Sequence, residues 1–170
     1  MSVIRTAVIG AGSFGSNHLR VLRELPGVTL AGVVDSDPER AADAAAKYNC
    51  PILELSEVAG VADAAIVATP TVTHAEIGCA LIEAGLDVLI EKPIAHDLRS
   101  AELLIATAEK KSRILQVGHL ERFNPAVQAL RTEATLPLFF EIHRMSVFTP
   151  RSLDVDVVLD LMIHDVDVLL

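Results

Sequence analysis

The chain has 170 residues, a net charge of −9 and a hydrophobic fraction of 51%, which predicts a globular protein with one sizeable core and part of a second. The acidic balance argues against nucleic acid as a partner, because nucleic-acid binding needs a basic surface. Without an apolar run near the roughly 20 residues that span a bilayer, and without a signal-peptide pattern, the sequence predicts a cytoplasmic protein that does not bind membranes.

The first two-thirds of the chain alternates short apolar runs with amphipathic stretches, which is typical of a parallel sheet covered on both faces by helices. Asp37 precedes Pro38 as an N-cap, and Gly85 follows a helix as its C-cap. We therefore predict an α/β Rossmann domain with a doubly wound parallel sheet over residues 1–120. Its predicted strands are Val3–Ile9, Val28–Val34, Ala64–Ala68, Asp87–Ile90 and Ile114–Val117, and its helices are Phe14–Glu24, Pro38–Tyr48, His74–Glu83 and Ser100–Lys110.

The pattern changes after about Gly118. We predict a helix over Pro125–Arg131, a strand over Leu138–Val147, a loop around Thr149–Leu153 and a helix over Val157–Leu170. One strand and two helices are too few for an independent core, and the chain stops within an apolar helical pattern. Residues 121–170 are therefore expected to be the start of a truncated second domain.

A glycine-rich turn follows the first predicted strand and opens the first helix. Gly10 permits the tight turn, Gly12 lets the backbone approach a pyrophosphate, and Gly15 lets the helix pack close to the strand. Ser13 and Phe14 complete the segment at the helix N-terminus, where free N–H groups can bind phosphate. The pattern predicts a dinucleotide site, against the alternative of a structural turn in another doubly wound fold.

Asp35 closes the second predicted strand about 20 residues further on, where a carboxylate can accept hydrogen bonds from ribose hydroxyls. A carboxylate there repels a 2′-phosphate, so we expect NAD rather than NADP as the cofactor. Arg40 could soften that preference, but it is expected to be solvated. Thr69 and Pro70 lie at the carboxyl end of another strand and would line the nicotinamide side. His74 is a further cofactor-site candidate, although a local hydrogen bond at a helix start is the simpler interpretation.

The segment Glu91-Lys92-Pro93 follows the next strand, so Lys92 would point into the same crevice. After a dinucleotide fingerprint, this tripeptide closely resembles the family of glucose–fructose oxidoreductase, inositol dehydrogenase and rhizopine catabolism proteins (Gfo/Idh/MocA). The resemblance implies that Lys92 is an active-site residue, that Glu91 lies by the cofactor, and that Pro93 follows a cis peptide bond. Read alone, Lys92 would be a surface lysine beside a proline turn.

A second match is Asp160-Leu161-Met162-Ile163-His164, which resembles the Asp-x-x-x-His signature of the same family. Residues four apart share a helix face, so Asp160 and His164 would project together. A histidine can take a hydroxyl proton near neutral pH, and a carboxylate can orient it. The alternative interpretation is a core-facing histidine after an acidic helix start.

The resemblance implies a sugar dehydrogenase that oxidises a secondary alcohol to a ketone, with His164 as the base, Lys92 on the reacting oxygen and Asp160 in an orienting role. It also implies that residues 121–170 begin an α+β substrate and oligomerisation domain, and that the full-length protein is a homo-oligomer. The segments Val117–Pro125 and Ser146–His164 resemble the branch acting on nucleotide-linked amino sugars, such as UDP-N-acetylglucosamine 3-dehydrogenases. Substrate-binding candidates there are Arg122, Asn124 and Arg151, each with an equally plausible surface or capping role.

Two alternatives remain open at this point. One is a family member acting on a free polyol or sugar, such as inositol or glucose. The other is a dinucleotide sensor without catalysis, because one fold hosts many functions. A zinc-dependent alcohol dehydrogenase is disfavoured, because Cys50 and Cys79 show no zinc-ligand spacing, and no metal site is predicted.

Overall fold

The computed structural model describes residues 3–134, 136, 138–143, 145 and 156–170. The chain divides into two compact units, which are Met1–Val117 and Gly118–Leu170.

The first unit is built on a five-stranded parallel sheet with the strand order β2-β1-β3-β4-β5. The strands are β1 Ile4–Ile9, β2 Val28–Val34, β3 Ala64–Val67, β4 Asp87–Ile90 and β5 Leu115–Val117. Beyond β2, a single parallel bridge joins Val33 to Ile52. The strand order reverses between β1 and β3, and such a switch point is where open α/β sheets bind ligands, at the carboxyl ends of the strands. The predicted Rossmann fold is confirmed.

The helices of this unit lie close to their predicted positions. They are α1 Ser13–Glu24, α2 Pro38–Tyr48, α3 Val58–Val61, α4 His74–Glu83 and α5 Leu98–Lys111. Asp37 caps α2 by accepting from the Glu39 and Arg40 N–H groups, and Gly85 follows α4 with a φ of +95°, as the sequence predicted. Helix α3 and the 3₁₀ turn Leu55–Glu57 that precedes it were not predicted from the sequence.

Two apolar cores cover the two faces of the sheet, because neighbouring residues of a strand point to opposite faces. Val8 packs with Leu19 and Leu22 of α1 on one face. Ala7 and Ile9 pack on the other face, in the cluster that includes residues of α4 and α5. This division explains why the strands are mostly apolar instead of strictly alternating, since the central part of the sheet is buried on both faces.

The second unit contains α6 Pro125–Glu133 and α7 Ile163–Leu169, with a π-helical turn at Val158–Met162 before α7. The predicted strand Leu138–Val147 is wrong over 138–143 and at 145, where no strand forms, and 144 and 146–147 lie outside the described residues. The predicted loop Thr149–Leu153 also lies outside them. No helix in the part of the chain that the structure describes is both long and apolar enough to cross a membrane.

Candidate active site

The glycine-rich turn leaves β1 at Gly10, whose N–H donates to the Val34 carbonyl at 2.7 Å. Gly10 has a φ of +94°, and a Cβ there would lie 2.7 Å from the Ala68 carbonyl oxygen. A Cβ on Gly15 would lie 1.8 Å from the carbonyl oxygen of Gly10. Both positions therefore require glycine, because α1, β1 and the end of β3 approach one another within contact distance here.

Gly12 differs from its two neighbours in the fingerprint. A Cβ placed on it would meet no described atom within 4 Å, so the fold itself does not demand glycine there. Gly12 is the N-cap of α1, and no described side chain caps this end of the helix. Ser13 and Phe14 are exposed in its first turn. An uncapped helix start beside an open glycine has the shape and the N–H donors that a dinucleotide pyrophosphate needs, so these residues fit such a group.

Asp35 lies after β2 and ties this turn to the next loop. Its Oδ2 accepts the Ala11 N–H at 2.7 Å, and its Oδ1 accepts the Asp37 N–H at 2.9 Å. The side chain is only 6% exposed. Arg40 Nε donates to the same Oδ1 at 3.3 Å. Arg40 is exposed, as expected, and its guanidinium also pairs with this carboxylate, which the sequence did not predict.

Three neighbouring strands end together at the edge where the glycine-rich turn lies. Ile9, Val67 and Ile90 are register partners across β1, β3 and β4. The pairing continues one residue beyond, where the Ala68 N–H donates to Ile9 and the Glu91 N–H donates to Val67. The register therefore brings Gly10, Ala68 and Glu91 to one edge of the sheet, with Thr69 and Lys92 as the next residues.

His74 is buried at the start of α4 with 1% exposure. Its Nε2 lies 2.9 Å from the Thr69 carbonyl oxygen, and its Nδ1 lies 2.9 Å from the Pro93 carbonyl oxygen. Thr69 is held further by the Thr73 hydroxyl, which donates to its side chain at 2.8 Å. His74 thus joins the segment after β3 to the segment after β4, in addition to the local bond predicted for it.

The tripeptide Glu91-Lys92-Pro93 has the cis Lys92–Pro93 bond that the resemblance implied. Glu91 is 5% exposed, and its Oε1 lies 2.6 Å from Nε2 of His18 on α1. The other carboxylate oxygen accepts the Lys92 N–H at 3.3 Å. His18 was missed by the sequence analysis, and no sequence pattern pairs it with a residue 73 positions away. Contact of Glu91 or His74 with a cofactor stays a prediction.

In the second unit, the substrate candidates Asn124 and Arg122 both contact residues of the same unit. Asn124 caps α6 by accepting the Ala126 N–H at 3.0 Å. Arg122 donates from Nε to both carboxylate oxygens of Asp167 at 3.0 Å. These hydrogen bonds hold the pKa of Asp167 below its ordinary value against the effect of burial. Arg151 lies outside the described residues.

Asp160 and His164 lie on the C-terminal helical segment, where both are partly buried. Asp156 starts this segment, and its Oδ1 accepts the N–H groups of Val158 and Leu159. The predicted common face requires a regular α-helix, whereas Asp160 lies in the π-helical turn and His164 in the first turn of α7. Such single π turns often occur at functional sites. The charge of His164 also contributes to the lowered pKa of Asp167.

Each unit holds a different set of the candidate site residues. The first unit brings Gly10, Gly12, Gly15, Asp35 and the Lys92 tripeptide to the carboxyl edge of the sheet, and the second holds Asp160 and His164. Among the described residues, no group of three or more His, Cys, Asp or Glu side chains is placed to hold a metal ion.

Residues 4–119 match the model of an oxidoreductase family with an NAD-binding Rossmann fold. UDP-N-acetylglucosamine 3-dehydrogenase of Acidithiobacillus ferrooxidans is 40% identical over 169 residues, which are 98% of this chain and 53% of that protein. Its solved structure superimposes with a TM-score of 0.91 at 39% identity, covering 99% of this chain and 56% of that one.

Inositol 2-dehydrogenase of Mycolicibacterium smegmatis is 34% identical over 99% of this chain and 52% of its own length. GenD2 from gentamicin A biosynthesis, solved in complex with NAD, has a TM-score of 0.74 at 30% identity over 78% of this chain and 39% of its own. The chain therefore spans about half the length of the curated relatives that it matches.

Proposed function

Because the chain belongs to the Gfo/Idh/MocA oxidoreductase family, whose matching part is an NAD-binding Rossmann fold, we propose that it supplies the cofactor half of a dehydrogenase that oxidises a secondary alcohol of a sugar to a ketone. The observation that carries the proposal is the common edge of β1, β3 and β4. There the register brings the glycine-rich turn and the Lys92 tripeptide to neighbouring strand ends. A dinucleotide bound at the turn would extend along this edge toward Lys92.

We propose NAD as the cofactor. The Asp35 carboxylate lies at the end of β2, where ribose hydroxyls bind in such folds, and its negative charge disfavours a 2′-phosphate. Arg40 acts in the opposite direction, but its guanidinium is engaged by Asp35 at 3.2 Å and by Asp37 at 3.6 Å. The pairing leaves the carboxylate in place and offsets part of the attraction that Arg40 would exert on a phosphate.

For the substrate, we propose a nucleotide-linked amino sugar. The support is the 40% identity to an enzyme named UDP-N-acetylglucosamine 3-dehydrogenase over almost the whole chain. Arg122, Arg151 and Asn124 stay candidates for contacts to the phosphates or sugar of such a substrate. Inositol is the second candidate, because an inositol 2-dehydrogenase is 34% identical over 99% of the chain. A homo-oligomeric full-length protein is part of the same proposal.

The three proposed catalytic residues, Lys92, Asp160 and His164, have different roles. A nicotinamide bound at this edge would supply the hydride-acceptor chemistry that oxidation of the alcohol carbon requires. His164 takes the hydroxyl proton on a ring nitrogen, since an imidazole exchanges protons near neutral pH. The Lys92 ammonium donates a hydrogen bond to the same oxygen and stabilises the charge that develops on it. Asp160 orients His164 or the substrate.

The test is an assay of the full-length protein with NAD and, in parallel, UDP-N-acetylglucosamine, inositol and glucose. We expect reduction of NAD with the nucleotide sugar. Lys92→Ala and His164→Ala should each lower turnover by roughly two to four orders of magnitude while the Kd for NAD changes little. Reduction with inositol alone would move the substrate to the second candidate. Full turnover in both variants would overturn the catalytic roles.

A further inference from the structure

The buried carboxylate of Glu91 is an unusual feature of the first unit. Acidic side chains are rarely buried unless they are paired, and Glu91 is 5% exposed. Its two oxygens face different parts of the chain: one contacts His18 at 2.6 Å, and the other accepts the backbone N–H of Lys92 at 3.3 Å. The same carboxylate therefore links a side chain of α1 to the backbone of Lys92.

His18 lies on α1, one helical turn after Gly15, and its side chain is 17% exposed. A carboxylate oxygen only accepts hydrogen bonds, so Nε2 of His18 is the donor in this contact. Helix α1 is the element that begins at the glycine-rich turn. Any movement of α1 when a dinucleotide binds would reach Glu91 through this short bond.

We propose that His18 is a positioning residue: through Glu91 it fixes the Lys92 backbone relative to the dinucleotide-binding helix. The inference rests on the proposed role of Lys92 in the reaction. The imidazole holds one oxygen of Glu91, and the other oxygen holds the Lys92 N–H. Losing the donor would leave a buried carboxylate with one of its contacts unsatisfied, and the carboxylate would turn toward water or another donor. Lys92 would then lose its orientation while its side chain stays chemically intact.

If His18 had a purely structural role, we would expect different results. Replacing it would lower the stability of the protein in proportion to the packing lost, and a polar replacement would behave like an apolar one of the same size. A positioning role depends on a donor at the place of Nε2. Glutamine carries an N–H donor on its Nε2 at a similar reach, whereas leucine carries none. Rescue by glutamine therefore separates the two roles.

The experiment uses the full-length protein and the variants His18→Leu, His18→Gln, Glu91→Gln and Lys92→Ala. His96→Leu is the matched control, because His96 is an exposed histidine four residues after Lys92 that pairs with Asp97 at 3.0 Å. For each variant, turnover, the KM and Kd for NAD, the thermal midpoint and hydrogen exchange of the Lys92 amide are measured. If His18→Leu does not fold, His18→Asn replaces it, since its shorter side chain does not reach the place of Nε2.

We expect His18→Leu to lower kcat by roughly 10²-fold, the scale reported for small misplacements of a catalytic group, and to speed exchange of the Lys92 amide. His18→Gln should recover most of both, and His96→Leu should match the wild type. Combining His18→Leu with Glu91→Gln should cost little more than either change alone, because the two residues act as one unit.

Two results would overturn the inference. One is wild-type turnover in His18→Leu while Lys92→Ala is inactive. The other is an equal loss in His18→Leu and His18→Gln. If the wild type shows no turnover or Lys92→Ala retains it, the proposed function fails instead. In that case, hydrogen exchange of the Lys92 amide decides whether His18 positions this segment. Unchanged exchange in His18→Leu would reject the positioning role too.

Discussion

The carboxylate of Asp35 accepts the backbone N–H of Ala11 at 2.7 Å, so the acidic residue at the end of β2 holds the glycine-rich turn as well as facing the proposed ribose site. Arg40 shares the other oxygen of the same carboxylate. Cofactor preference and the shape of the turn therefore depend on the same side chain, which guides the first prediction.

Replacing Asp35 by Asn should weaken NAD binding and shift preference toward NADP. The amide removes the charge that repels a 2′-phosphate. It also leaves Arg40 without its buried counter-ion, so the Arg40 guanidinium can attract the phosphate. We expect the ratio of the two Kd values to change by roughly tenfold, about 1.4 kcal/mol. Asp43→Asn is the control, since it makes the same change of charge at an exposed site on α2. An unchanged ratio in Asp35→Asn would contradict the assignment.

The two glycines Gly12 and Gly15 should respond differently to alanine. Gly15→Ala places a Cβ 1.8 Å from a backbone oxygen, so the turn must shift, and the thermal midpoint should fall by an amount equivalent to about 1–3 kcal/mol or more. Gly12→Ala meets no described atom within 4 Å and should lose at most about 1 kcal/mol, because alanine is a poorer N-cap than glycine. Its Kd for NAD should rise by roughly tenfold or more, because the methyl group would occupy the path of the pyrophosphate.

The exposed Gly60 provides the control, because an added Cβ there also meets no described atom within 4 Å. Gly60→Ala should leave the Kd unchanged, and it should not lower the midpoint, because Gly60 lies in α3, where alanine favours the helix. Equal behaviour of Gly12→Ala and Gly60→Ala in NAD binding would argue against a pyrophosphate at Gly12.

Acid should destabilise the first unit between about pH 4 and pH 2. Hydrogen bonds from Arg5 hold the pKa of Asp63 at about 2, below its ordinary 3.8. A group with a lowered pKa stabilises the fold above the unfolded value and loses that effect as pH falls through the folded value. Asp97, whose pKa is lowered chiefly by the Ser100 N–H, adds to the same slope.

Urea midpoints measured from pH 5 to pH 2 check this expectation. Asp63→Asn should flatten the slope, although modestly, because the pair is exposed to solvent. Asp43→Asn, which changes an exposed carboxylate on α2, should retain the slope of the wild type. A slope that is the same in both variants would mean that another group controls the acid limb.

Most of the first unit could be predicted from the sequence, and the reasons are local. Apolar runs without alternation marked the buried strands to within a residue or two, and Asp37-Pro38 marked the start of α2. The contacts that organise the site were not predictable in this way. His18 with Glu91 and His74 with Pro93 join residues 73 and 19 positions apart, and only the order of the strands brings them together.

The structure of the second unit was harder to predict from the sequence, and the reason is physical. The segment Leu138–Val147 has the alternation of a strand, but a strand needs a partner to satisfy its backbone groups. Its described residues, 138–143 and 145, lie outside any sheet. The π-helical turn at Val158–Met162 leaves no signature in the spacing of apolar residues either. Pattern alone therefore predicted the helix there but not its widened turn.

The last prediction concerns His74, whose two ring nitrogens each lie 2.9 Å from a carbonyl oxygen, one of Thr69 and one of Pro93. An imidazole with a single N–H donates to one of these two largely enclosed oxygens, and leucine would remove that donor. Such a loss costs about 1–3 kcal/mol, so His74→Leu should lower the free energy of unfolding by about that amount. His74→Gln, which keeps a donor, should lose less. Urea unfolding checks this against the exposed His96→Leu control, and a His74→Leu protein as stable as the control would show that this bridge contributes nothing to the fold.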